Sequence, residues 1–379
     1  MNYKTYLDRL CERVKSTRAE IGDAWPYHAH PTSGKWETTE DGDWCDGHWI
    51  DMLRMTGELT NDQSLIEEAL QRTERNRYKL EIDDMFRGHR FYYSAARLYQ
   101  TTGNQEMRTL ALAAAYAVRS MAMKVNGAMP VGTEVQVKIA SDSPENVKTR
   151  RHVCVDNVHP NLMLDWWAWK ETNDRVFLDG AYAMFDVVEK HFIREDGSTI
   201  EFIEFDPDTG EARKEFTILG YSDDSCWSRG QAWAIAGSMF AYEHTRDLRF
   251  LRTCKKIFDY WWDNCGAELP PYDFKDPDAK TLPKDSSSSA IVTAALARLA
   301  VLKDIDSEAL PLLERLDPMI KVMLAKTTPV DDNDQRPVGM LLDGCFNQPK
   351  LFANDHELLW GDFYLMETLY CLEKGGMPC

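Results

Sequence analysis

Gly220-Tyr221-Ser222-Asp223-Asp224-Ser225-Cys226-Trp227-Ser228-Arg229-Gly230-Gln231-Ala232-Trp233 is the stretch on which the reading of this chain turns. It sets an arginine, a glutamine and two tryptophans at the mouth of a helix predicted over 228–244. The free N–H groups of a helix N-terminus, together with a guanidinium, favour anionic or oxygen-rich ligands. As bare chemistry, the segment describes a pocket for a polar ligand.

Outward from that helix the chain reads as helix after helix. Tyr3, Tyr6, Leu7, Leu10 and Val14 recur near the 3.6-residue period across 3–20. Comparable apolar stripes predict helices at about 46–59, 63–79, 86–101, 105–123, 157–171, 175–192, 248–264, 286–303, 307–324 and 356–373. With 3–20 and 228–244 that makes twelve helices, or six pairs. Several pairs share one kind of turn: Leu59-Thr60-Asn61-Asp62, Thr102-Gly103-Asn104, Thr172-Asn173-Asp174 and Thr245-Arg246-Asp247. Each ends on an Asn or Asp able to cap the helix that follows. A helical hairpin repeated along a chain implies a solenoid or a closed ring. Long insertions fall at 124–155, 193–226 and 266–285, and irregular segments on a regular scaffold are where sites are usually built. The clear β signal lies in 194–218, where Thr199-Ile200-Glu201-Phe202-Ile203-Glu204-Phe205 alternates before the turn Asp206-Pro207-Asp208-Thr209-Gly210. With no low-complexity linker and no composition break, one domain over 1–379 is expected.

Composition narrows the functional classes. Hydrophobic residues are 44% and charged residues 28%, as in ordinary globular proteins. No stretch approaches the roughly 20 apolar residues of a membrane span, and the start carries no apolar leader, so a cytoplasmic protein is expected. Nine scattered cysteines without a Cys-x-x-Cys pair indicate neither a zinc site nor a disulfide framework. The net charge of −18 argues against nucleic acid and against anionic membranes. A body so anionic repels a long polyanion but admits a short one into a locally donor-rich pocket. Twelve tryptophans and fifteen tyrosines are many for 379 residues. Trp36, Trp44, Trp49, Trp227 and Trp233 lie in or beside insertions, where aromatic faces suit the C–H faces of sugar rings.

At this point a resemblance becomes specific. The stretch 220–233 resembles the Gly-Tyr-…-Ser-x-Trp-Ser-Arg-Gly-Gln-Ala-Trp signature of glycoside hydrolase family 88, the unsaturated glucuronyl hydrolases, and of the related family 105. Trp36-Glu37-Thr38-Thr39-Glu40-Asp41-Gly42-Asp43-Trp44, Asp196-Gly197-Ser198-Thr199, Lys284-Asp285-Ser286-Ser287-Ser288-Ser289-Ala290 and Leu358-Leu359-Trp360-Gly361-Asp362-Phe363-Tyr364 are similar to further family segments in the same order. The resemblance spans about 30–370. It implies an all-α (α/α)6 barrel of six helical hairpins with a small β-hairpin insertion. It also implies release of a 4,5-unsaturated uronic acid from the non-reducing end of a small oligosaccharide: an acid protonates the C4=C5 bond, water adds at C5, and the hemiketal opens. No metal or cofactor is implied.

Carried over residue by residue, the family acid corresponds to Asp156 in Val155-Asp156-Asn157-Val158-His159-Pro160-Asn161, or to Asn157 when the segment is aligned from Asn161. The second family acid falls in Asp83-Asp84-Met85-Phe86-Arg87-Gly88-His89. Anchored on Gly88, its place holds Phe86, with Asp84 and His89 as neighbours able to supply the function. Glu201 stands where the family has a hairpin histidine, and Leu219 where it has a glutamine. Asp156 and Asp84 are therefore the catalytic candidates, and Trp49, His89, Glu201, Trp227, Arg229, Gln231 and Trp233 the substrate-binding candidates. Competing readings are a glycosidase that uses a carboxylate pair on a saturated substrate, a histidine-based sugar isomerase or epimerase, and an inactive glycan-binding relative.

Overall fold

Four turns are built from one set of hydrogen bonds. Thr60, Thr102, Thr172 and Thr245 each return a hydroxyl to the carbonyl four residues back. The next residue, Asn61, Gly103, Asn173 or Arg246, closes its helix in the left-handed conformation. Asp62, Asn104, Asp174 and Asp247 then accept from the first turn of the following helix. The repeated Thr-x-(Asn/Asp) signal thus ends one helix and starts the next within three residues.

The computed structural model describes residues 2–134 and 149–378. Its helices are α1 (Tyr3–Ile21), α2 (Asp46–Thr60), α3 (Gln63–Arg75), α4 (Arg87–Phe91), α5 (Arg97–Thr102), α6 (Gln105–Ser120), α7 (Pro160–Thr172), α8 (Arg175–Val187), α9 (Ser228–Thr245), α10 (Leu248–Cys265), α11 (Ser286–Ala300), α12 (Leu310–Leu313), α13 (Leu316–Ala325) and α14 (Leu359–Lys374). A π turn over Tyr92–Ala96 joins α4 to α5 as one rod. Helices α12 and α13 follow one another with a break, because Pro318 has no N–H and its ring excludes the carbonyl of residue 314 from a regular helix. Counted as rods these are the twelve expected helices in an (α/α)6 barrel.

An inner ring runs α2, α4–α5, α7, α9, α11 and α14, each packed on the next, with α14 closing on α2. Inner helices are covered on all sides, so α9 and α11 are buried along nearly their whole length. The outer helices, such as α3 and α10, bury one stripe. The short turns link inner C-termini to outer N-termini, so they gather at one end. The six inner N-termini and the long loops before them form the other end. One apolar cluster runs continuously from Leu7 to Cys371. No helix among the described residues is long and apolar enough to cross a membrane.

The expected β-hairpin over 202–216 is present, and it belongs to a larger β structure than the sequence marked. Two three-stranded sheets lie at the loop end: β2 (Trp36–Thr39), β1 (Trp25–Ala29) and β6 (Glu357–Leu358) in one, and β3 (His152–Cys154), β4 (Phe202–Phe205) and β5 (Ala212–Phe216) in the other. All five residues of β1 are buried, which erases the alternation that marks a half-buried strand. Strand β6 also displaces the predicted start of the last helix from 356 to Leu359.

Candidate active site

Asp156 sits where the second sheet feeds the barrel. Cys154 of β3 pairs with Phe202 of β4, the Val155 N–H donates to the Glu201 carbonyl at 2.8 Å, and the chain then makes a 3-10 turn over Val155–Val158 before α7. The turn is pressed against α9 at two glycines, Gly230 and Gly237, two turns apart on the same face. A β-carbon on Gly230 would lie 3.1 Å from Val155, and one on Gly237 would lie 2.7 Å from the Val158 oxygen. Oδ1 of Asp156 is buried and has no hydrogen-bond partner among the described residues. Burial, followed by the neighbouring Glu201 carboxylate, pushes the Asp156 carboxyl up to about 8, against a smaller downward pull from Arg229. The acid is therefore protonated at neutral pH. Asn157, the alternative in the sequence, is fully buried and donates its amide to the Met129 carbonyl instead.

Glu201 is held by donors alone. Its carboxylate accepts N–H bonds from Ile218 at 2.9 Å, Leu219 at 3.0 Å and Gly220 at 3.3 Å, and the Thr217 hydroxyl as well. Burial raises its proton affinity above the ordinary carboxylate range, and these four donors offset only part of that rise. Arg229 is buried at the start of α9. It meets Asp285 at 2.6 Å, donates to the carbonyls of Cys345 and Phe346, and stacks 4.7 Å over Trp227. The same guanidinium lies over Trp360 at 5.6 Å.

From Trp360 the aromatic contacts continue round the lumen. Trp44 packs on Trp360 at 4.8 Å, and Phe86 and His89 pack on Trp44. His48 joins His89 to Tyr364, and Tyr364 meets Trp233, which stacks on His159 at 5.5 Å. Each of these rings comes from, or just before, the first turns of an inner helix. Burial keeps His48, His89 and His159 neutral by lowering their proton affinity. The set brings together Trp227, Arg229, Trp233 and His89 from the predicted residues.

Three other predicted residues are held by partners outside that run of ring contacts. Asp84 is buried under the turn before α4, accepting from the Phe86 N–H at 2.9 Å and facing Arg90 at 3.5 Å. Gln231 has its amide bonded to Thr199 N, Gly197 O and Ile257 O, so it clamps the 197–199 turn ahead of β4 to α10. Trp49 is buried in α2 without a ring contact to the lumen aromatics. Conversely, sequence reasoning gave no role to Asp273, Trp360 or Tyr364, and considered His159 only as a base for the isomerase reading. Asp273 accepts from Tyr221 N, Ser225 Oγ and Cys226 N, fixing the loop that delivers Trp227. The only signal for it was its place in Pro271-Tyr272-Asp273-Phe274, inside an insertion. Among the described residues no group of three or more His, Cys, Asp or Glu side chains is arranged to hold a metal ion.

Fold and site together define the class: an (α/α)6 barrel whose helix N-termini converge on a protonated acid and a wall of aromatic faces. Within that class the chain is a divergent relative of the unsaturated glucuronyl hydrolases. It is 26% identical over 362 residues to the unsaturated glucuronyl hydrolase of Bacillus sp. (strain GL1), covering 94% of this chain and 93% of that one. It is 25% identical over 338 residues to the unsaturated chondroitin disaccharide hydrolase of Streptococcus pneumoniae, covering 87% and 82%. The crystal structure of the Bacillus sp. GL1 protein superposes with a TM-score of 0.85 over 98% of this chain and 97% of that one, at 24% identity. No family model matches the chain.

Proposed function

We propose that the protein is a hydrolase that removes a 4,5-unsaturated uronic acid residue from the non-reducing end of a small oligosaccharide. The observation that carries this reading is the Asp156 carboxyl, raised to about 8 with one oxygen unpartnered at the mouth. An enol ether needs a proton delivered to carbon, and general acids work best when their affinity lies near the operating pH. In the proposed reaction Asp156 gives its proton to C4 and positive charge develops at C5 and the ring oxygen. Water then adds at C5 and returns a proton to the Asp156 carboxylate. The resulting hemiketal opens, and the rest of the oligosaccharide departs.

The remaining geometry supports the same substrate class. Six helix N-termini point their positive ends at the mouth, which favours a uronate carboxylate there. Relatives named for unsaturated glucuronyl and unsaturated chondroitin disaccharide substrates support the reading. We also take residues 1–379 to act as one catalytic unit, as the shared apolar cluster suggests. The test is turnover of lyase-generated unsaturated disaccharides, followed by loss of the ultraviolet absorbance of the C4=C5 bond and by product mass. A saturated glycoside has no such chromophore. If the protein cleaved saturated glycosides and left every unsaturated disaccharide intact, the proposal would fail.

A further inference from the structure

Glu201 occupies an unusual position, and the inference drawn from it rests on the reading of Asp156 as the acid. Three consecutive backbone N–H groups, those of Ile218, Leu219 and Gly220, converge on its carboxylate together with the Thr217 hydroxyl. All four reach Oε2, and such a nest favours negative charge on the oxygen it encloses, whereas Oδ1 of Asp156 has no donor among the described residues. The residue is also tied to the acid through the backbone, since its own carbonyl accepts the N–H of Val155, the residue before Asp156. Burial, and after it the charges of Asp156 and Glu201, push the proton affinity of the Cys154 thiol up. The groups facing Asp156 are thus Glu201 ahead of β4, Arg229 on α9 and Cys154 on β3. The one cation among them, Arg229, is already paired with Asp285.

We propose that Glu201 is a positioning residue for the reaction: an anion locked in a backbone nest beside Asp156, it keeps that acid in its proton-carrying form between turnovers. Two like charges in a water-poor site resist simultaneous ionisation. Because the nest stabilises the charge on Glu201, the proton stays on Asp156. In the resembling family the same place holds a histidine, so this division of labour belongs to the present chain.

The experiment titrates Asp156 directly, by carbon NMR of protein labelled at Asp carboxyls, with Asp156→Asn assigning the signal. In the wild type the midpoint is expected near 8. In Glu201→Gln, which preserves size, it should fall by about one unit or more, a shift that requires only an ordinary neighbouring charge to be removed. Glu201→His, carrying the residue of the resembling family, should move it the same way if the Gln variant does not fold. On a substrate that is turned over, the alkaline limb of kcat/KM should move with the midpoint while KM changes little. An Asp156 midpoint unmoved in both variants overturns the proposal. A lowered midpoint in a protein that turns over no unsaturated disaccharide would uphold the coupling and instead defeat the proposed function.

Discussion

Gly237 of α9 lies so close to Val158 that a β-carbon on it would stand 2.7 Å from the Val158 carbonyl oxygen. That contact, with Gly230 two turns along on the same face, sets the depth at which the Asp156 turn rests on the inner ring. Gly237→Ala must push the turn or the helix apart by several tenths of an ångström. Overpacking of this kind costs about 1–3 kcal/mol, and a displaced acid loses turnover more steeply than stability. The expected outcome is a lowered unfolding midpoint with a larger proportional fall in kcat. Wild-type turnover in this variant would show that the turn is positioned from the β3–β4 side alone.

Arg229 sits in the segment that first suggested a ligand pocket, yet its donors go to Asp285 and to the carbonyls of Cys345 and Phe346. Arg229→Ala leaves Asp285 buried with its cation removed, and breaking a buried pair from one side costs about 3–5 kcal/mol. We expect a severe loss of stability, measured by chemical denaturation, before any effect on substrate affinity can be read. Arg229→Lys keeps the charge but not the fork that reaches two carbonyls, and should fall between. A stable Ala variant with weakened binding alone would make the guanidinium a ligand contact.

The helices were legible because each was marked twice, by an apolar stripe and by a Thr-x-(Asn/Asp) turn whose hydrogen bonds are local. Of the sheets only the local hairpin β4–β5 was legible, because β1–β6 and β3–β4 join distant parts of the chain. Strand β1 pairs with β6 across more than three hundred residues, through His28 opposite Leu358. Within the site the sequence named residue types but could not tell which way each polar group points. Gln231 and Arg229 read alike as ligand donors, whereas the structure bonds Gln231 to three backbone groups and to the Cys226 thiol. The choice between Asp156 and Asn157 was open in the sequence because a one-residue shift decides it. Met129, which lies in another insertion, takes the Asn157 amide.

Removing the proton from Asp156 without changing its shape tests its role most directly. Asp156→Asn should lower turnover of an unsaturated disaccharide by about two to four orders of magnitude, the range for loss of a general acid, with KM nearly unchanged. The wild-type rate should itself decline as pH rises through about 8, where the folded acid ionises. Stopped chromophore assays from pH 5 to 9 on both proteins would show it. Near-normal turnover by the Asn variant would move the proton donor to Glu201 or to a lumen histidine.

The same titration makes a prediction about stability in which the sign is distinctive. The folded-state affinity of Asp156, about 8, lies above its ordinary value of 3.8. Between those limits the unfolded chain has released this proton while the folded protein keeps it, so the folded state binds more protons. Stability contributed by the group is therefore complete below about pH 4 and is lost as pH rises, by at most about 1.4 kcal/mol per unit, until it levels off above 8. Asp156→Asn carries no such dependence. Asp165 and Asp362 also have raised affinities, but both are present in the two proteins and cancel in the difference. Glu201, also raised, is coupled to Asp156, and its response forms part of that difference. Urea denaturation at pH 5 and pH 8 should show the Asn variant gaining on the wild type as pH rises, becoming the more stable protein at pH 8 while being the less active. A stability difference that is flat with pH would mean that Asp156 titrates like an ordinary carboxylate, and an ordinary carboxylate has no proton to give at neutral pH.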